Sequence, residues 1–483
     1  MKKRLLAVLC ASAIILSLSA AGCANNEKKD SSEGTKTSTS SQTGKSDESS
    51  AASGEKEVTD AASTQKTIIF NAGGQKIYNS GAALYAIKDN NTFEFVETAV
   101  EEESGKTYEG MLPSYVFASP QQVITGTDAY FFDKDSGTFA HLDLSDTKNA
   151  KKETVYTAEK ALPVIKAAIQ KNTELDDEQI QNVAYCLFST VSSPIVDGGD
   201  GFVYGTFTPG PEYYEISKPI AYQIYRIAKD GSKFEFIEDD SYSASSIAIK
   251  DGYIYYYDGG FAYDKEKHDA TTDMSRVGIF KMKTDGSEKK ELVKTALTSE
   301  SDGNPVEAMK CSGRLDIVGD ELYYILSQGQ LYKVGLEGGN STQVTKKDCN
   351  NYYIDAASGM LYYSQGKLQK NEPNGYPVVA APLAGGDEKA LFITTNTSSV
   401  PGMWTVDGDY LYLSNIDGYS ALLLKDKNHE SEFSPSACGR RWNLKEGYME
   451  ILYAQVEVEY EEGAFGVKSV KRVGAPTIKW EKE

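Results

Sequence analysis

The sequence predicts an all-β protein, a β-propeller of eight four-stranded blades with seven as the alternative count, and a small helical hairpin inserted into it. A run of alternating apolar and Tyr residues recurs along the chain after a tight turn. Its closest copies lie about 40 residues apart, which is the repeat length of propeller blades. Strand-like runs that end in Asp-Gly or Gly-Gly turns follow the copies. Tyr is abundant, with 32 of 483 residues, and it favours strands that pack face to face.

The clearest copy of the repeat is GDELYYILSQGQLYKVGLEGGN at 319–340, where the Tyr-rich strand follows a Gly-Asp turn. A short inner strand precedes such a run, as at 404–406 and 442–444, and third and fourth strands follow it. The copies are anchored at Ile77, Tyr130, Val203, Ile254, Leu322, Leu361, Leu411 and Met449. They predict eight blades, or seven if the strand at 68–71 only closes the last blade.

The first 66 residues are predicted to be an export and anchoring segment. Residues 1–22 have a basic start, a short apolar run and a small-residue end, as secretory signal peptides do. The end resembles a bacterial lipobox, and this resemblance implies cleavage before Cys23 and lipidation of its thiol. The alternative is an ordinary signal peptide with an incidental cysteine. Residues 23–66 are rich in Ser, Thr, Lys and Glu and have no aromatic residue, which predicts a disordered tether between the lipid and a propeller at 67–483.

Charge and hydropathy limit the partners of the chain. The formal net charge is −20, so the surface repels the phosphates of nucleic acids, and we exclude a nucleic-acid partner. No second apolar run is long enough to cross a bilayer. The sequence therefore predicts an exported protein that is held at the outer face of the cell membrane by its lipid anchor only.

The repeat at 319–340 resembles the YWTD-type propeller repeat of lipoprotein-receptor ectodomains, in which an aromatic strand precedes an LYR…LDG run. It is similar, more closely, to propellers of bacterial surface lipoproteins that are classed as a domain of unknown function. The resemblance covers the chain from about Ile68 onward and is firmest over 221–425. It implies a propeller and favours binding over catalysis. The Trp-Thr-Asp triplet itself is absent, so no site residue is carried over.

The lengths of the connections predict which face of the propeller is functional. Connections between first and second strands and between third and fourth strands share one face, and here they are short turns. The long insertions all fall on the opposite face, which we call the long-loop face: 99–114, 158–196, 206–221, 259–278 and 296–313. Because binding sites are commonly built from loops on a rigid scaffold, we expect this face to bind the ligand.

One insertion, at 158–190, has its own periodicity. Leu162, Ile165 and Ile169 have helical spacing, and Ile180 and Leu187 continue the pattern in a second segment. A helical hairpin is predicted. Its apolar stripe packs on the propeller rim or, alternatively, docks a partner or covers a pocket.

Five residues are candidate ligand contacts. Arg314 and Arg441 both precede predicted inner strands, so they are expected near the mouth of the central channel, where they hold a carboxylate or phosphate or else balance nearby Asp and Glu. Tyr213 and Tyr214 are expected to stack on a sugar or a peptide or, alternatively, to pack within their own loop. His268 lies in the 259–278 insertion.

Cysteine and metal chemistry give weaker signals. Cys311, Cys349 and Cys438 are predicted in equivalent loops, with a Cys311–Cys349 disulfide in consecutive blades or, alternatively, free buried thiols. Asp133, Asp135 and Gly137 have the spacing that opens a calcium loop, but no distal Glu follows. A hairpin turn is therefore predicted there, and no metal site.

The chain offers no recognisable catalytic constellation. Its histidines, His141, His268 and His429, are far apart, and no GxSxG motif is present. The sequence predicts a cofactor-free, anchored propeller that binds an extracellular protein, peptide or glycan. The alternatives are a scaffold subunit of a cell-envelope complex and an enzyme that cleaves glycans with scattered carboxylates.

Overall fold

Seven four-stranded antiparallel blades follow one another along the chain and form a β-propeller in the computed structural model of the protein. The structure describes the following residues, all within the unit Asp60–Glu483: 69–79, 84–87, 92–95, 107–109, 122–133, 136–145, 152–170, 177–178, 180–181, 187–188, 195–207, 224–237, 246–264, 269–273, 276–294, 314–325, 329–365, 376–393, 403–413, 436–454, 456–460, 467–472 and 477–482.

The blades are numbered along the chain, and each is given from its first to its fourth strand. Blade 1 contains β1 (Ile69–Ala72), β2 (Gln75–Asn79), β3 (Leu84–Ile87) and β4 (Thr92–Phe95); blade 2 contains β6 (Gln122–Thr125), β7 (Asp128–Asp133), β8 (Thr138–Asp143) and β9 (Lys152–Thr157); blade 3 contains β10 (Val196–Asp197), β11 (Phe202–Thr206), β12 (Ile224–Ala228) and β13 (Phe234–Phe236). Blade 4 contains β14 (Ile247–Lys250), β15 (Tyr253–Asp258), β18 (Gly278–Lys283) and β19 (Lys290–Lys294); blade 5 contains β20 (Leu315–Val318), β21 (Glu321–Ile325), β22 (Leu331–Gly335) and β23 (Thr342–Gln343). Blade 6 contains β24 (Cys349–Asp355), β25 (Met360–Gln365), β26 (Pro377–Pro382) and β27 (Lys389–Ile393); blade 7 contains β28 (Met403–Asp407), β29 (Tyr410–Leu413), β30 (Ser436–Asn443) and β31 (Tyr448–Ala454).

The seven-blade count is confirmed, and the eighth blade predicted at Met449 is wrong. Met449 lies in β31, the fourth strand of blade 7, and pairs directly with Trp442 of β30. The run at 442–444, predicted as an inner strand, therefore belongs to the end of a third strand and the turn after it. The strand at 68–71 does not close the last blade either, because β1 is the first strand of its own blade.

Consecutive tyrosines in the second strands pack on both neighbouring blades. In β21, Tyr323 joins a core cluster with blade 6, whereas Tyr324 joins a cluster with blade 4. Successive side chains of a strand point to opposite faces, so a Tyr-Tyr pair places one ring against each neighbour. The same arrangement recurs at Tyr255–Tyr256 in β15 and at Tyr362–Tyr363 in β25.

Several elements lie outside the blades. They are β5 (Thr107–Glu109), helix α1 (Ala158–Gln170), β16 (Phe261–Asp264), β17 (Asp269–Thr272), β32 (Val456–Tyr460), β33 (Val467–Arg472) and β34 (Thr477–Lys482). Strands β16 and β17 form a two-stranded ribbon, and β32, β33 and β5 form a three-stranded sheet in which β5 pairs parallel to β33.

Helix α1 packs against blades 2 and 3, as the helical stripe predicts. The Thr157 hydroxyl accepts a hydrogen bond from the Lys160 amide at 3.2 Å and caps the first turn. Ala161 and Ile165 are buried in one cluster with aromatic residues of both blades. The second predicted helix lies mostly outside the described residues. Its described positions at 177–178, 180–181 and 187–188 are helical, and Ile180, Leu187 and Phe188 are buried in the same cluster.

Strand β34 joins the first blade to the last. Its first half pairs with β4, where Ile478 lies opposite Phe93, and its second half pairs with β31, where Trp480 lies opposite Leu452. The two blades and β34 thus form one continuous nine-stranded sheet. The rings of Tyr78 and Tyr412, 5.2 Å apart, provide a further contact between these blades.

Polar contacts link blades 2 and 3 at the edge that carries the short turns. The Asp197 carboxylate lies 2.6 Å from Lys229 Nζ and also accepts hydrogen bonds from the Thr125 hydroxyl at 2.5 Å and the Gly199 amide at 2.9 Å. Burial alone would raise the pKa of Asp197, but these donors outweigh it and hold the pKa below its ordinary value.

The variant Asp197→Asn is expected to lower the free energy of unfolding at pH 7 by about 1–3 kcal/mol, the usual contribution of hydrogen bonds to a charged group. Because the folded pKa is lowered, this contribution is complete above the unfolded pKa of about 3.9 and disappears as the pH falls through the folded pKa. Urea unfolding of both proteins between pH 7 and pH 3 measures the difference. It should shrink in acid. The control is Asp320→Asn, because the Asp320 side chain is 97% exposed. If the difference in unfolding free energy between Asp197→Asn and the unaltered protein does not vary with pH, the stabilising role of the Asp197 carboxylate is contradicted.

Candidate functional site

The topology of the blades places the long insertions together on the long-loop face. The connections from first to second strands have only two to four residues, as at 73–74, 251–252 and 198–201. The connections from second to third strands and from each blade to the next leave from the opposite edge, because neighbouring strands are antiparallel. These opposite-edge connections include 96–121, 158–195, 207–223, 259–277, 295–314 and 414–435.

Two of the long insertions rise from adjacent blades. The 207–223 connection, which contains Tyr213 and Tyr214, follows the second strand of blade 3. The 259–277 connection, which contains His268, follows the second strand of blade 4. All three predicted contact residues lie outside the described residues, but the strands place the bases of their loops on neighbouring blades.

The 259–277 connection, which we call the arm, has a fixed base. Asp258, the last residue of β15, is 1% exposed, and its carboxylate accepts a hydrogen bond from the Gly260 amide at 2.8 Å. It also faces the Arg276 guanidinium at 3.3 Å. The Asp273 amide donates to the Gly260 carbonyl at 2.7 Å and closes the base. Burial raises the pKa of Asp258, and the contacts with Gly260 and Arg276 only partly offset this.

The geometry of Gly260 gives a specific prediction. Its φ is +64°, and a Cβ there would lie 2.4 Å from the Asp273 carbonyl oxygen, so Gly260→Ala is expected to open the base of the arm. We expect trypsin to cleave the arm, at Lys265 or Lys267, at least about tenfold faster, which corresponds to about 1.4 kcal/mol of local stability. Gly252→Ala is the matched control, because its φ is +78° but nothing lies within 4 Å of the added Cβ. Equal cleavage rates in the two variants would contradict the role of Gly260.

Arg314 lies at the start of β20, as predicted, and is engaged within the protein. Its Nε is 2.7 Å from Asp316 Oδ2, and its Nη1 donates to the Tyr352 carbonyl at 2.7 Å. The guanidinium also stacks on the Tyr352 ring, with 4.6 Å to the centroid. Because Tyr352 belongs to blade 6, Arg314 connects two blades at the inner strands.

Arg441 is not equivalent to Arg314, so this part of the prediction is wrong. It lies in β30, a third strand, and is 1% exposed. Its Nε and Nη2 lie 2.6 and 2.5 Å from Glu450 Oε2, and its guanidinium stacks on the Tyr410 ring at 3.8 Å. The alternative prediction, that this arginine balances a nearby carboxylate, describes what the structure contains.

A second arginine repeats this arrangement in blade 3. Arg226 of β12 donates from Nε to Glu235 at 2.7 Å and from Nη1 to the Tyr204 hydroxyl at 3.3 Å, just as Arg441 donates to Glu450 and, at 3.3 Å, to Tyr412. Arg226 is not among the contact residues predicted from the sequence. The shared signal is a Tyr in the second strand, an Arg in the third and a Glu in the fourth.

The cysteines do not occupy equivalent loops. Cys349 is buried at the first position of β24, and burial raises the pKa of its thiol. Cys438 lies in β30 rather than in a loop. Cys311 and the predicted lipidation site Cys23 lie outside the described residues, so the Cys311–Cys349 disulfide and the lipid anchor remain predictions.

The calcium-like spacing after β7 forms a hairpin turn, as predicted. The Gly137 amide donates to the Asp133 carbonyl at 2.9 Å, and the Ser136 hydroxyl donates to the Asp133 carboxylate at 2.7 Å. Within the part of the chain that the structure describes, no group of three His, Cys, Asp or Glu residues is arranged to hold a metal ion. Nor does any helix among those residues have the length and apolar character that a membrane span requires.

Comparisons with known proteins do not identify a family or a function. No family model matches the chain, and no curated protein matches it. Among solved structures, a nidogen/laminin complex is similar at 14% identity, over 57% of this chain and 81% of that chain, with a TM-score of 0.28. An oligogalacturonate lyase from Vibrio parahaemolyticus is similar at 10% identity, over 88% and 94%, with a TM-score of 0.39. Puromycin hydrolase is similar at 10% identity, over 83% and 59%, with a TM-score of 0.39. At these values the similarities carry no argument about activity.

Proposed function

We propose that the protein is an exported, lipid-anchored propeller that binds a protein, peptide or glycan through its long-loop face. The observation that carries the proposal is the asymmetry of the connections. The edge with the short turns carries two-residue connections such as 73–74 and 319–320, whereas insertions such as 207–223 and 259–277 rise from the other edge. Rigid scaffolds that place variable loops together are a common way to build a binding surface.

The fixed base of the arm supports the same proposal. An insertion without a role needs no ordered attachment, yet Asp258 places a buried carboxylate under the arm and holds Gly260 and Arg276. Burying a carboxylate has a cost that its partners must offset. The contacts of Asp258 with Gly260 and Arg276 lie where the arm leaves blade 4. They fix the position of the arm, and an arm in a fixed position presents a defined surface to a ligand.

Arrays of glycans and peptides, probed with the full-length protein, test the proposal. We expect binding that is lost when 207–223 and 259–277 are shortened. A Gly-Ser insertion between Gly319 and Asp320, on the opposite face, should leave it unchanged. Binding that survives both loop changes would contradict the assignment of the face. A protein that binds nothing on the arrays but co-purifies with a membrane protein would favour the scaffold role instead.

A further inference from the structure

The arm contains a ribbon with two open strand edges. Strands β16 and β17 pair antiparallel, with Ala262 opposite Thr271 and Tyr263 opposite Ala270. Within the described residues neither strand pairs with a third. A two-stranded ribbon alone is marginally stable in water, and an open edge presents backbone donors and acceptors that can pair with another strand.

The hydrogen-bond pattern identifies the residues that form the open edges. The Asp273 amide donates to the Gly260 carbonyl, and in an antiparallel ladder hydrogen-bonded pairs alternate along the strands. Ala262 therefore bonds inward to Thr271, whereas the backbone groups of the next pair, Tyr263 and Ala270, point away from the ribbon. The outward-facing backbone positions are Phe261 and Tyr263 on β16 and Ala270 and Thr272 on β17.

The chain completes its other extra ribbon with a third strand. Strands β32 and β33 form an antiparallel pair outside the blades, and β5, from a distant part of the chain, adds to β33 through Thr107, Tyr108 and Glu109. The β16–β17 ribbon has the same construction without such an addition among the described residues. Its base is held by Asp258, so an added strand would meet an edge that is already positioned.

We propose that an extended segment of a partner protein adds to the β16–β17 ribbon as its third strand. This inference rests on the proposed function and narrows the ligand to a peptide, because the open edge recognises a polypeptide backbone. The formal net charge of −20 favours a segment rich in Lys and Arg. Main-chain hydrogen bonds to Phe261 and Tyr263, or to Ala270 and Thr272, hold the segment.

Selection of random 12-residue peptides on the full-length protein, followed by N-methylation of each backbone amide of a selected peptide, tests the proposal. Along an added strand every second amide bonds to the ribbon. We therefore expect methylation at alternate positions to weaken binding at least about tenfold, and methylation between them to have little effect. This measurement uses the unaltered protein, so it does not depend on the folding of a variant. If the loss of binding on N-methylation does not recur at every second amide, the proposal is overturned. A selection that returns no peptide would also overturn it.

Proline variants show which edge of the ribbon, β16 or β17, binds the peptide. Ala270→Pro removes an outward amide of β17, and Tyr263→Pro removes one of β16, while both leave the inward bonds between the strands intact. We expect one of the two to abolish binding of the selected peptide, with Tyr263→Ala as the control for the lost ring. Thr271→Pro breaks an inward bond and should disrupt the arm itself. Unchanged binding in both outward variants would overturn the proposal.

Two further results separate this inference from the function on which it rests. Glycan binding that depends on 207–223 and 259–277, without any selected peptide, would keep the proposed function and overturn the added strand. A concentration-dependent dimer that Ala270→Pro abolishes would assign the edge to a second copy of the chain, and it would also overturn the partner peptide.

Discussion

Arg441→Met is expected to lower the free energy of unfolding by about 3–5 kcal/mol, because it leaves the Glu450 carboxylate buried without the guanidinium that offsets its burial. Arg441 and Glu450 are both nearly inaccessible, at 1% and 6% side-chain exposure. The lost stacking on Tyr410 adds to the effect. Urea unfolding followed by circular dichroism measures the change as a lower midpoint.

The repeated arrangement in blade 3 supplies a matched control. Arg226 and Glu235 form the corresponding ion pair but are 16% and 27% exposed, and Glu235 also pairs with Lys233 at 2.7 Å. Because Glu235 keeps a cationic partner and some access to water, Arg226→Met is expected to cost only about 1 kcal/mol. The double variant Arg441→Met with Glu450→Leu should recover most of the lost stability, since no charge is then left buried. A double variant as unstable as Arg441→Met alone would show that lost packing, rather than the isolated carboxylate, causes the effect.

Removal of residues 477–483 is expected to lower the free energy of unfolding by about 3 kcal/mol or more. Strand β34 makes three residue pairs with β4 and three with β31, and each backbone hydrogen bond contributes a net 0.5–1.5 kcal/mol, roughly. The truncation also exposes the outer strands of blades 1 and 7 as open edges, which promotes association between molecules. Urea unfolding measures the first effect, and light scattering measures the second.

A chain that ends at Lys482 retains all of β34 and is the control for this truncation. In the truncated protein, blades 1 and 7 would still be in contact through Tyr78 and Tyr412 and through the ion pair between Lys76 and Asp407. A truncated protein with the same urea midpoint as the control would show that these contacts hold blades 1 and 7 together without β34.

The sequence predicts the blades well because each blade repeats a local pattern. The alternation of apolar residues and Tyr identifies second strands such as β15, β21 and β25, and their tight turns identify the strand ends. The same alternation does not show whether a strand is the first, second, third or fourth strand of its blade. The run at Met449 has the pattern of a second strand, yet it pairs with β30 and β34 as a fourth strand, because the pairing is decided by distant residues.

The candidate site is less predictable for a related physical reason. The excess of long connections on one face follows from strand order and is visible in the sequence. The environment of a single side chain depends on register. Arg314 and Arg441 both precede apolar runs, but one lies at an inner strand beside Asp316 and the other is buried beside Glu450. The Asp-Gly-Gly sequence at the end of β15 does mark the base of the arm, but only the burial of Asp258 shows that this base is held in place.

The position of β34 also has a consequence for the order of folding. Blade 1 is the first blade to leave the ribosome, yet its outer strand β4 pairs with Ile478, which follows all seven blades in the sequence. Contacts between residues so far apart in the chain form slowly, because the entropy of closing the loop must be overcome first. In pulse-labelled hydrogen exchange, β4 and β31 should therefore gain protection last. The blade that is synthesised first is thus the last to be completed.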